Sequence, residues 1–274
     1  MDLELLLEVK GMARSTFYYH LKRSSLADKY GEAKDKIKSI FHSHKGRYGY
    51  RRITMELRKE IANINHKTVK RLMDELGLKC MVRKVRYRSY KGDVGKTAPN
   101  IVDRAFYTER PLQKAATDVT QFNVGGLKGY LSPVMDMFNG EILAYTISKS
   151  PDLKMVTDML DKLYANVQLP KEGLLLHSDQ GWHYQHIAYQ RSLQRHGITQ
   201  SMSRKGNCLD NAMMENFFGL MKSELLYVNK YESMDEFTKD LEEYIMYYNN
   251  DRIKLRLGMS PVEYRQAYYS SINK

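Results

Sequence analysis

KAATDVTQFNVGGLKGYLSPVMDMFNGEILAYTISK, residues 114–149, decides the fold. Three β-rich runs, KAATDVTQFNV, LKGYLSPVMDMF and EILAYTISK, are separated by Gly125-Gly126 and Asn139-Gly140. Both dipeptides tolerate the positive φ of tight hairpin turns, so the spacing predicts a three-stranded antiparallel meander. Downstream, DLKMVTDMLDKLYANV (152–167) has the period of an amphipathic helix, and GLLLHSD (173–179) reads as a short strand buried on both faces. HYQHIAYQRSLQRHG (183–197) reads as one helix, ITQSM (198–202) as a strand and LDNAMMENFFGLMKSELL (209–226) as a long helix. The order β-β-β-α-β-α-β-α predicts an α/β domain with a mixed sheet between helices.

Upstream of this block the pattern is helical throughout. MARSTFYYHLK has Ser15 and Thr16 as candidate caps, within a helical lead-in over residues 1–28. Residues 29–88 read as helices: KDKIKSIFHSH, then RYGYRRITMELRKE with Ile53, Leu57 and Ile61 on one face, then HKTVKRLMDELGL. Asn65 is placed to cap the last of these and Gly77 to end it. A tight turn between two short helices, with Lys67, Lys70 and Arg71 on the outside of the second, forms a candidate helix-turn-helix. Arg51 and Arg52 extend the basic set. The alternative is an ordinary three-helix bundle with solvated lysines. Residues 81–100, rich in basic residues and glycine, read as a basic linker whose span in the domain plan is 89–104, ahead of a catalytic core over 105–265.

The charge is placed unevenly. Residues 1–100 carry 24 Lys/Arg against 11 Asp/Glu, a net of +13, whereas residues 101–274 carry 20 against 21, a net of −1. A basic module beside a near-neutral domain points to a polyanion partner, with an inert basic surface as the competing explanation. A hydrophobic content of 42% supplies a core. No apolar run spans a bilayer, and two distant cysteines fit a reducing cytoplasm and not a disulfide framework.

Three carboxylates stand out: Asp118 inside the first β-run, Asp179 at the carboxyl end of the buried strand, and Glu215 on the long helix. A carboxylate in or just past an apolar strand is costly unless it is paired or binds a cation. Hard cations such as Mg²⁺ take oxygen ligands, and two of them about 4 Å apart activate one oxygen and stabilise another in phosphodiester displacement. At 100° per residue Asn211, Glu215 and Lys222 fall near one helix face, Lys222 about 20° from Glu215. A lysine there could grip DNA phosphates; otherwise it is a solvated surface lysine.

Other residues resemble sites without the geometry. His177, Ser178 and Asp179 cannot form a hydrolase triad, because adjacent strand residues point to alternate faces. Asp210 is expected to cap the long helix. Asp136 has no assigned place beyond a supporting role. His183 and His186 lack a third metal ligand and are read as loop or DNA contacts, and Trp182 either stacks on a base or anchors its loop.

With these residues in view the sequence resembles a known family. Asp118, Asp179 and Glu215, with 35 residues between the last two, are similar to the D,D-35-E triad of retroviral-integrase-type transposases. TDVTQF, HSDQG, GNCLDNAMMENFFGLMKSELL and YYNNDRIKLRLGMSPVEY resemble OrfB, the second-frame protein of two-frame bacterial insertion sequences. YGYRRITMELRKE and NHKTVKRLMDELGLK resemble the helix-turn-helix-like region before its core. The resemblance implies a ribonuclease-H-like integrase core, with Asp118 bridging two Mg²⁺ or Mn²⁺ ions and Asp179 and Glu215 each holding one. It implies that Lys222, on the same face as Asn211, contacts the transposon end. Asn249, Arg252 and Pro261 match the tail motif, with Arg252 counted among the DNA contacts, while Lys254 replaces a histidine common in the family. It further implies double-stranded DNA as substrate (terminal inverted repeats and target), a homo-oligomer on DNA, a first-frame OrfA partner or OrfAB fusion, and a bacterial, nucleoid-associated setting. The rival expectations are a nuclease that stops at hydrolysis and a non-catalytic DNA-binding protein.

Overall fold

A computed structural model describes residues 3–24, 28–80, 97–204 and 208–272. The chain divides after Cys80 into two compact units. The predicted linker falls largely on residues 81–96, which lie outside the described residues.

The first unit is all helix: α1 (Leu3–Lys10), α2 (Arg14–Ser24), α3 (Gly31–Ser43), α4 (Tyr50–Leu57) and α5 (His66–Glu75). Ser15 and Thr16 fall inside the first turn of α2, so neither is its cap. Ile37, Ile53, Leu57, Val69 and Leu72 are fully buried and form the seam among α3, α4 and α5, as the three- and four-residue spacing predicts. The Asn65 side chain accepts the Lys67 N–H at 2.8 Å. Gly77, at φ +68°, ends α5 while the Leu78 N–H reaches back to the Met73 carbonyl.

The second unit is built on one mixed sheet. Its strands are β1 (Lys114–Thr117), β2 (Thr120–Val124), β3 (Leu127–Asp136), β4 (Ile142–Ser148), β5 (Leu174–Ser178) and β6 (Ile198–Met202). β2, β3 and β4 form the expected meander, and Gly125 and Gly126 both take positive φ in the two-residue turn. The predicted first strand is interrupted, however. β1 and β2 lie end to end along β3 in a single register, Thr117 facing Val134 and Thr120 facing Leu131. That register sets Asp118 opposite Pro133, which has no N–H to give, while the Val119 N–H is taken by the Asp118 side chain at 2.7 Å. The ladder therefore breaks at the acid. β1 then pairs in parallel with β5, and β5 with β6.

Helices cover both faces. They are α6 (Leu153–Asn166), α7 (Trp182–Gln185), α8 (Ile187–Arg195), α9 (Ala212–Met221), α10 (Met234–Asn250) and α11 (Pro261–Ile272). Ala115, Leu174 and Leu176 pack against α6 and α8, whereas Ala116 and Phe122 pack against α9 and α10. The predicted single helix over 183–197 is two, because His186 is extended and caps α8, its ring accepting the Ala188 N–H. The predicted long helix is also segmented: a 3₁₀ turn (Cys208–Asn211), then α9, then one π-turn (Lys222–Leu226). No described helix is long and apolar enough to cross a membrane.

Leu72 is wholly enclosed in the α3–α5 seam. Leu72→Ala is expected to lower the hydrogen-exchange stability of the α3–α5 amides by roughly 2–4 kcal/mol. Unchanged protection there would contradict this packing.

Candidate active site

Side chains on a strand repeat every second residue, so Ala116 and Asp118 share the face covered by α9. Ala116 stands beside His177 in the parallel β1–β5 ladder. Two residues further on, the same face carries Asp118 on one strand and Asp179 just past the end of its neighbour. Strands lie about 4.8 Å apart, so sheet register alone makes the two acids neighbours. Glu215, in the first turn of α9, is the third charge at Asp118.

Asp118 is only 9% exposed. Its Oδ1 accepts from the Val119 N–H and its Oδ2 from the Asn211 amide at 2.9 Å. Burial pushes its carboxyl well above the ordinary range, with the Asp179 charge the next cause; Glu215 adds to the rise, while the Val119 N–H and the Lys222 ammonium oppose it. Asp179 is also raised by burial, against the pull of the Gly181 N–H, which donates to its Oδ1 at 2.8 Å. A Cβ at Gly181 would sit 2.9 Å from that oxygen, so the HSDQG glycine leaves the carboxylate its space. Lys222 is half-buried, and burial lowers its ammonium while Asp118 pulls the other way. Asp179, Glu215, Asn211 and Lys222 thus all act on Asp118. Among the described residues no three His, Cys, Asp or Glu side chains close into a ready-made metal cage. The carboxylates of Asp118 and Asp179 are turned instead to amide donors.

The expected DNA contacts divide. Lys67, Lys70 and Arg71 are exposed on α5, Arg71 ion-pairing with Glu75 and lying over the Tyr30 ring. Arg51 is exposed against Tyr50, and Arg52, part-buried, lies over Tyr48. Asn211 is buried against Asp118, so it is not a surface contact. His183 Nε2 meets the Pro151 carbonyl at 2.6 Å. Trp182 is 55% exposed, its ring tilted over His183.

The integrase core domain family matches residues 108–208 and again 215–268, and the HTH-like domain family matches residues 29–86. The protein described as transposase InsK of insertion sequence element IS150, from Escherichia coli K12, is 51% identical over 97% of this chain and 94% of its own length. The chain belongs to the insertion-sequence transposases. The transposase for insertion sequence element IS904 of Lactococcus lactis is 35% identical over 80% of this chain and 87% of its own length. A chain of the simian T-cell lymphotropic virus intasome, solved with the PP2A regulatory subunit B56 gamma, overlays with a TM-score of 0.50 at 15% identity. That overlay covers 84% of this chain and 74% of the other, a likeness of the ribonuclease-H-like fold.

In this transposase the matched tail residues form a clasp. Arg252, expected among the DNA contacts, is only 2% exposed and grips Glu224 of the π-turn through two bonds, 2.9 and 2.6 Å, while the Tyr244 hydroxyl donates to the same carboxylate. Asn249 pairs by its side chain with both the N–H and the carbonyl of Ile142 on β4. The Pro261 carbonyl accepts from Asn139 in the β3–β4 turn. Lys254 lies over Tyr248 and bonds its hydroxyl; burial lowers its ammonium to about 7. Asp136 closes that same turn, accepting from the Phe138 and Leu112 N–H groups, with burial raising it to about 6; in the β1–β3 ladder it faces Ala115.

Asp210 is likewise not the cap of α9. Its carboxylate takes Arg204, Arg104 and the Asn100 amide, and the Arg204 bond foremost holds it below the usual carboxylate range. That knot fixes the segment leading into Asn211. Sequence reading missed both Glu224 and this knot, because each needs a partner remote along the chain.

Arg252→Met strands a buried carboxylate and is expected to cost about 3–5 kcal/mol in urea unfolding. Adding Glu224→Met should recover most of that loss. A double variant no more stable than the single one would contradict the clasp.

Proposed function

We propose that Asp118, Asp179 and Glu215 hold two Mg²⁺ or Mn²⁺ ions and that this site cuts and joins DNA strands in transposition. The observation that carries the reading is the β1–β5 register, which sets two buried, mutually repelling carboxylates side by side under α9. The donor set fits hard cations: all oxygen and acidic, with burial raising Asp118 and Asp179 toward protonation. The buried Oδ1 of Asn211, without a hydrogen-bond partner, is a further oxygen at the same place. Bound there, the ions would supply Lewis acidity to the entering and leaving oxygens.

The chain's own groups do the rest. Asp118, fixed by Val119 and Asn211, bridges the site, and Lys222 holds an incoming phosphate by charge. In the first step a water oxygen bonds to phosphorus at a transposon end and the 3′-oxygen leaves as a hydroxyl. In the second, that 3′-hydroxyl attacks a target phosphodiester, whose own 3′-oxygen departs. Both are in-line displacements, so one site serves both. Lys67, Lys70, Arg71, Arg51 and Arg52 supply the phosphate contacts that position the duplex. The same reading gives terminal inverted repeats and target duplex as substrates and a homo-oligomer on DNA as the working form. It places a first-frame OrfA protein, separate or fused, beside this chain in the bacterial cytoplasm.

Asp118→Asn or Glu215→Gln should lower strand transfer of transposon-end DNA by at least about 100-fold, the scale of losing one key electrostatic group. Activity within about threefold of the parent would sink the assignment, and products that are cut but never joined would favour a nuclease.

The raised carboxyls also set a pH dependence. Protons must leave before a cation binds, so the rise in melting temperature on adding Mg²⁺ should be larger at pH 8 than at pH 5.5. An equal or reversed difference in scanning calorimetry would contradict it.

A further inference from the structure

Asn211 stands at the N-cap position of α9, where an asparagine ordinarily turns its side-chain oxygen onto a free N–H of the first turn. Here the side chain makes no cap bond. It is spent on Asp118 instead, 93 residues away, with Nδ2 donating to Oδ2 at 2.9 Å. A carboxylate can only accept, so the amide nitrogen faces Asp118 and the carbonyl oxygen is left over. That Oδ1 is buried and has no hydrogen-bond partner, in a residue only 6% exposed. An unsatisfied buried acceptor is destabilising, and the helix gains no cap in return.

We infer that Asn211 is a positioning residue for the acidic site. Its N–H locks the Asp118 carboxylate together with the Val119 N–H, and its free oxygen accepts a proton of a water bound to a divalent cation held by the acids. The inference rests on the cation site proposed above and assigns Asn211 to the cation and not to DNA. Both halves of the amide are then used, which the metal-free arrangement does not achieve. Partners that orient a metal ligand without touching the ion are worth about 10–100-fold in affinity.

The test is a calorimetric titration of the full chain with Mg²⁺ alone, beside the metal-free melting temperature and the affinity for transposon-end duplex in EDTA. Asn211→Ala is expected to weaken Mg²⁺ binding by about tenfold or more. DNA affinity without metal should stay at the parent value, and a cooperative metal-free melting transition should show that the variant folds. Should the alanine variant not fold, Asn211→Ser carries the test, since its hydroxyl is too short to keep the bond to Asp118 and the same loss is expected. Mg²⁺ affinity within about threefold of the parent overturns the inference, as does a fall in DNA affinity with Mg²⁺ binding intact. Asp118→Asn in the same titration separates the two ideas. If it binds Mg²⁺ as the parent does, the acidic-site reading itself is wrong; if it loses binding while the Asn211 variants keep it, only the role of Asn211 falls.

Discussion

Ala116 runs beside His177 in the parallel ladder, and the two-residue repeat of a strand carries that pairing on to Asp118 and Asp179. Sheet hydrogen bonds, which know nothing of chemistry, thereby hold two like charges together in a poorly solvated place. The ladder yields at this point: Pro133 offers no donor opposite Asp118, and the acid takes the Val119 N–H for itself. Small residues precede it. Ala115 and Ala116 fill little volume on either face, which lets α6 and α9 approach the strand that bears the acid.

The treatment of other buried acids makes the contrast plain. Asp210 has Arg204 and Arg104, Glu224 has Arg252, and Glu141 has Arg265. Each carboxylate is neutralised by a guanidinium fork suited to it. Asp118 receives an amide and a backbone N–H, with Lys222 acting on it only through the field. Among the described residues Asp136 also makes no direct arginine bond, so what sets Asp118 apart is the charge of Asp179 and Glu215 acting on it. Carboxylates thus outnumber cations around Asp118, where Asp179, Glu215 and Lys222 act on it, while the positive excess falls within residues 1–100.

What could be read from the letters was whatever local chemistry fixes. Gly125, Gly126 and Gly140 adopt positive φ as Gly-Gly and Asn-Gly suggest, Asn65 caps its helix, and Gly77 stops it. The acids were legible because a carboxylate in an apolar strand is an anomaly in itself. Helical projection put Asn211 on the face of Glu215 and Lys222, but not its bond to Asp118, which depends on cross-strand register. The breaks were hidden for the same reason: the split at Asp118 needs Pro133 across the ladder, and the split at His186 needs a ring that caps in place of continuing a helix. Arg252 misled most. A charged residue in a polar tail looks solvated until Glu224, 28 residues earlier, is found beneath it.

The clasp made by Asn249, Arg252 and Pro261 also bears on how the integrase unit can be handled. Its fastenings run from the tail to β4, to the β3–β4 turn and to the π-turn, spanning up to 122 residues of sequence. Trimming the chain inside α10, or splicing a reporter there, would strip cover from Glu224 and unhook an outer strand at once, whereas a cut early in α11 would remove the Arg265–Glu141 pair. Tags and chimeric joints therefore belong outside the stretch from Asn100, tied to Asp210, to Arg265, tied to Glu141.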